Sequence, residues 1–178
     1  MVEALRERHA SEILIFLLDQ GKIKKTDLLE IVSSSDSLSN TLRKLQDNGL
    51  ITLESKVIGR KIIYIGLTDK GQAVAEQLKK AEQVAEGGEI SEFLTDDMKI
   101  LIYLLNEKET PYESLKGKFS SAYSSVSRLK QMGLVDAKIN NSKFPKEEII
   151  SLTNKGRKVA QKLKEIEEIL ETNAGGML

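Results

Sequence analysis

A chain of 178 residues has room for one domain or for two small ones. Its 27 basic and 27 acidic residues sum to zero net charge, which argues against indiscriminate coating of nucleic acid but leaves room for a local basic surface. There is no cysteine and His9 is the only histidine, so disulfides, thiolate metal sites and His-rich clusters lack their parts, and the usual Ser-His nucleophile reduces to whatever His9, in the charged stretch RERHASE, could serve.

The pattern predicts a first helix over about Glu3–Asp19, a second over about Lys25–Ser33 and a third over about Ser37–Asn48. Gly49 ends the third, as a left-handed C-cap does, and the chain passes directly into the apolar pair Leu50-Ile51. The β-rich runs ITLESKV and KIIYIGL flank Ile58-Gly59-Arg60 and read as a hairpin. A long helix over about Asp69–Glu86 closes this half, and Glu86-Gly87-Gly88-Glu89 reads as a linker.

The same order then recurs. Helices are expected over about Thr95–Asn106, Pro111–Lys118 and Ser121–Met132, with Thr110 as N-cap to a first-turn Pro111 and Gly133 as the C-cap. VDAKI and EEIISL flank the polar loop Asn140–Lys146, and a final helix covers about Asn154–Thr172 before a frayed tail marked by Gly175-Gly176. The expected domains are therefore 1–86 and 94–172, with a linker at 87–93 and a tail at 173–178.

Comparison of the chain with itself supports this division. LTDKGQAVAEQLK (Leu67–Lys79) and LTNKGRKVAQKLK (Leu152–Lys164) agree at eight of thirteen positions. LSNTLRKLQDNGLI aligns without gaps to AYSSVSRLKQMGLV, and IFLLDQ to IYLLNE. Length changes fall between these blocks, in expected loops, as a duplicated fold requires.

Three helices, a hairpin after the third, and a closing helix headed by L-T-x-K-G resemble the winged helix-turn-helix regulators of the MarR, ArsR and PadR-like classes. The resemblance rests on SNTLRKLQDNGLITLESKVIGRKIIYIGLTDKG and SSVSRLKQMGLVDAKINNSKFPKEEIISLTNKG and covers nearly the whole chain. It implies a mainly α fold with small β-hairpin wings, in two tandem winged helix domains. It also implies duplex DNA as partner, with the third helix in the major groove and the wing on the backbone. Familiar members carry one module per chain and dimerise; two modules here put that dimeric geometry in doubt.

Residue patterns narrow the contact surface. Leu38, Leu42 and Leu45 form one stripe of the first third helix, which leaves Asn40, Arg43 and Lys44 opposite, with Ser37 and Ser39 at the margins. Asp36 opposes DNA contact unless it caps the helix. In the second copy Ala122, Val126 and Leu129 form the stripe, and Ser124, Ser127 and Arg128 face away with Ser121 and Tyr123 nearby. Asn and Arg suit bidentate contacts to bases, and short hydroxyls permit close approach. Lys56, Arg60 and Lys61 make the first wing basic, whereas Lys143 and Lys146 of the second are followed by Glu147 and Glu148, so the first copy is expected to be the stronger binder.

Val74, Leu78, Ala81 and Ala85, and likewise Val159, Leu163, Ile166 and Leu170, run at 4-3-4 spacing along the closing helices. Such seams pack on the chain's own first helix or build a homodimer, the latter more plausibly through the larger residues of the C-terminal helix. No phosphate-cradling glycine motif and no catalytic arrangement occurs, so neither enzyme activity nor a cofactor or metal is expected. The longest apolar run, Ile13 to Leu18, is far short of the roughly 20 residues of a membrane span, and a cytoplasmic protein is expected. The leading function is transcriptional regulation through DNA; the alternative is a tandem winged helix scaffold holding a protein partner in a chromosome-segregation or basal-transcription complex.

Overall fold

A computed structural model describes residues 2–7, 9–85, 96–142 and 144–172. Compactness divides the chain into two units, Met1–Lys80 with Glu165–Leu178 and Ala81–Lys164, so both borders fall inside the closing helices. The expected linker at 87–93 and the tail at 173–178 lie outside the described residues.

In the first unit a 3-10 turn, Val2–Arg6, precedes α1 (Ala10–Gln20). The single helix expected from Glu3 is therefore broken, and the break sits at His9, whose φ of 67° no α-helix accommodates. His9 Nδ1 meets Glu12 Oε2 at 2.6 Å, and its side chain is half-buried. A two-residue strand β1 (Ile23–Lys24) leads into a 3-10 helix, Lys25–Glu30, where an α-helix to Ser33 was expected. Asp27 Oδ2 accepts from the Lys24 backbone N–H at 3.0 Å and closes this short turn. Next come α2 (Ser35–Asp47), β2 (Ile51–Ile58), β3 (Arg60–Leu67) and α3 (Asp69–Ala85).

The strands form an antiparallel sheet of order β1-β3-β2. Ile23 stands opposite Ile65, and the hairpin runs from Ile51 opposite Leu67 to Ile58 opposite Arg60. The expected hairpin thus gains a third strand, too short to leave a periodic signal in sequence. Ile13, Leu14, Leu17, Leu28, Leu38, Leu45 and Leu78 are buried to the last per cent or so and make the core.

The second unit repeats the order: α4 (Asp96–Glu107), β4 (Glu109–Pro111), α5 (Tyr112–Lys118), α6 (Ala122–Gln131), β5 (Val135–Asn140), β6 (Glu147–Leu152) and α7 (Asn154–Thr172), whose residues from Glu165 on belong to the first unit. Its sheet, order β4-β6-β5, is also antiparallel. Thr110, expected as an N-cap, lies instead in β4 opposite Ile150 and is buried; Pro111 ends the strand and precedes the helix rather than opening it.

One latch repeats in both units and accounts for the L-T-x-K-G block. At the end of α2 the Leu50 N–H bonds to Leu45 O (2.9 Å) and the Gly49 N–H to Gln46 O (2.8 Å), a Schellman motif with Gly49 at φ 67°. Thr68 Oγ1 donates to Gly49 O (2.6 Å) and accepts from the Gly71 N–H (2.9 Å), tying the start of α3 to the end of α2. A Cβ on Gly71 would fall 1.8 Å from Leu50 O. Thr153, Gly133, Gly156 and Leu134 reproduce every part of this, again with 1.8 Å from a Gly156 Cβ to Leu134 O. The seam residues Val74, Leu78, Ala81, Ala85, Val159, Leu163, Ile166 and Leu170 are all buried.

Candidate nucleic-acid interface

Helix α2 buries Leu38, Leu42 and Leu45 as the spacing predicts, and Thr41 with them. Ser34, not Asp36, caps it: Ser34 Oγ accepts from the Ser37 N–H at 3.3 Å. Ser39, Asn40 and Arg43 are exposed on the opposite face, with Ser37 half-buried at its edge. Arg43 Nη2 donates to Asn40 Oδ1 at 3.0 Å, which fixes the two longest polar side chains of the face in one arrangement. Ser39 Oγ donates to Ser35 O (2.7 Å) and accepts from Lys25 Nζ (2.8 Å). Lys44 turns the other way and pairs with Glu7, so part of its charge is already answered.

The hairpin adds cations to this unit. Lys56 and Lys61 are exposed, and Lys56 Nζ stands 5.5 Å from the centre of the Tyr64 ring, a cation–π distance. Glu54, the acid within this hairpin, is paired with Lys22. That hydrogen bond and the Lys22 charge hold the Glu54 carboxyl below its ordinary pKa. The side chain of Arg60 lies outside the described residues. Lys25 joins the face through Ser39, a contact the sequence reading missed; the run Lys22-Ile23-Lys24-Lys25 was the available signal.

The corresponding face of the second unit differs in chemistry. Helix α6 buries Ala122, Val126 and Leu129 as expected, and Ser125 where the first unit has Thr41. Ser124 and Ser127 are exposed, and Ser124 Oγ donates to Ser121 O at 3.0 Å. Ser121 Oγ, however, donates to Asp96 Oδ2 at 2.8 Å. Arg128 Nη2 donates to Asp97 Oδ1 at 3.3 Å, and its Nε lies 2.8 Å from Asp97 Oδ2 as an ion pair. Asp97 is wholly buried, so the ion pair sets the Arg128 charge against a desolvated carboxylate. No spacing rule in the sequence links positions 97 and 128, and the pair was not foreseen.

The second hairpin is less basic. Lys146 is exposed beside Glu147 and Glu148, and Lys143 lies outside the described residues. Phe144 is 99% exposed, Tyr123 80% and Ile139 64%, against Leu29 at 43% and Val57 at 77% among the described residues of the first unit. Among the described residues no group of three or more acidic or histidine side chains is arranged to hold a metal. No described helix is long and apolar enough to cross a membrane. Neither a protein-family model nor a curated protein sequence matches the chain.

Proposed function

We propose that this protein is a DNA-binding transcriptional regulator of two tandem winged helix-turn-helix modules, in which the first module reads the duplex and binds it more strongly than the second. The observation that carries this reading is the α2 face: Ser39, Asn40 and Arg43 exposed together on a buried leucine stripe, in the unit whose hairpin carries Lys56 and Lys61. Asn and Arg have the donor and acceptor geometry for base edges, while the lysines supply phosphate contacts. Titration of the full chain with a random duplex at several salt concentrations tests it. Steep loss of affinity with salt is expected; no binding at low salt would overturn the reading.

The second module supports a different reading of its own face. Arg128 is paired with a buried carboxylate, and the hairpin offers exposed Phe144 and Ile139 with Glu147 and Glu148 set against the cations Lys138 and Lys146. Such a surface favours a polypeptide over a polyanion. On this reading the second module recruits a protein partner while the first holds DNA. Phe144→Ser would then abolish that recruitment and leave duplex affinity unchanged.

A further inference from the structure

In the second unit the hairpin meets the first turn of α5 in a cleft of about 400 Å³. Tyr112 and Phe144 supply aromatic wall, and Glu113, Glu147 and Glu148 set their carboxylates against the ammonium of Lys146. Aligning Leu67 with Leu152 places Ile62 and Ile63 of the first unit where Glu147 and Glu148 stand in the second. Tyr112 follows β4 directly, as Lys25 follows β1. The same architecture thus accepts isoleucines and a lysine at these places, so folding alone does not demand an acidic, aromatic lining. Exposure points the same way. Phe144 is 99% exposed, and Ile139, 64% exposed, stands across the strand pair from Glu148. Glu113 lies 3.6 Å from Lys116, but both side chains are more than half exposed and water screens that pair.

Carboxylates beside aromatic rings repel phosphate and attract a cation with a flat apolar face. A guanidinium is such a cation. It stacks on rings and donates two parallel N–H bonds to one carboxylate, whereas an ammonium acts as a point charge. We propose that this cleft docks a polypeptide segment presenting an arginine flanked by apolar residues. The guanidinium lies among Tyr112, Phe144 and the glutamates, and the flanking side chains cover Ile139. This assignment rests on the reading of the second module as a recruiter of protein, and it names the partner's chemistry.

The probe is the capped peptide acetyl-Ala-Leu-Arg-Leu-Ala-amide, followed by amide chemical shifts of the full chain. Saturable binding is expected, with shifts confined to residues 112–113, 139 and 144–148. Citrulline in place of the arginine, equal in shape but uncharged, should weaken binding by roughly tenfold, and lysine by roughly threefold. Glu148→Gln should weaken the arginine peptide and leave the citrulline peptide unchanged, a split that a merely structural role would not produce. Phe144→Ser, a change at an exposed position, should weaken all three peptides. Three results would overturn the proposal: shifts centred elsewhere, equal affinity for arginine and citrulline, or no saturation by about 10 mM, the range of negligible affinity. If arginine and citrulline bind equally and Phe144→Ser abolishes both, the recruiting module stands and its arginine specificity falls. If no peptide saturates and a duplex shifts these same residues, both fall together.

Discussion

Two glycines and one lysine carry the sharpest consequences at the level of single residues. Gly71 and Gly156 sit where a methyl group would overlap a backbone carbonyl oxygen at 1.8 Å, and neither helix start can retreat without breaking the threonine latch. Gly71→Ala and Gly156→Ala are each expected to lower stability by about 2–4 kcal/mol, read from denaturant unfolding of the full chain. An ordinary helical glycine would instead gain stability on that change, so the sign decides the matter. Lys108 presents the opposite case. It leaves α4 at a positive φ of 63°, and the equivalent position in the first unit is a glycine, Gly21, also at positive φ, 72°. Lys108→Gly should therefore raise stability by about 1 kcal/mol, visible as a higher unfolding midpoint at unchanged slope.

At the level of elements, the sequence was most legible where one residue type has one structural use. Gly49 and Gly133 announced the ends of α2 and α6, and the leucine spacing gave the buried stripe of α2 correctly. The starts of α3 and α7 followed from the repeat. Elements below about six residues were not legible, because β1 and β4 are too short for alternation and a 3-10 turn has no amphipathic period. The candidate interface was legible as a list of exposed side chains and not as a network. In the repeat Arg128 matches Lys44, and each is paired with an acid, whereas Arg43 matches Ser127 and leans on a neutral asparagine. That difference predicts a crossed outcome. Arg43→Ala should cut duplex affinity by about 5–30-fold with little change in stability. Arg128→Ala should change affinity by less than about threefold while destabilising by about 1–3 kcal/mol, since it removes a charged partner of the buried Asp97 and the arginine's own 45% exposure tempers the loss. Equal effects of the two variants in either assay would show that the pair with Asp97 does not separate the two helices.

For the whole chain, zero net charge becomes informative once charges are assigned to places. Many lysines are answered locally: Lys22 by Glu54, Lys44 by Glu7, Lys79 by Asp19 and Lys116 by Glu113. On the proposed reading, the cations of the candidate face left for phosphate are Lys24, Lys25, Lys56 and Lys61, with Lys25 also bonded to Ser39. A face of about four cations predicts a slope of log K against log salt near −3.6, or about a 150-fold loss of duplex affinity between 50 and 200 mM salt. If the second unit bound phosphate equally, the count would double and the slope would approach about −7. Fluorescence anisotropy of a labelled duplex across that salt range separates the two cases. A slope near −7 would mean that Arg128 and the second hairpin reach DNA despite their carboxylate neighbours. A slope flatter than about −1 would leave the lysines of the first unit without a polyanion to neutralise, and the balanced composition would then describe a surface shaped for proteins.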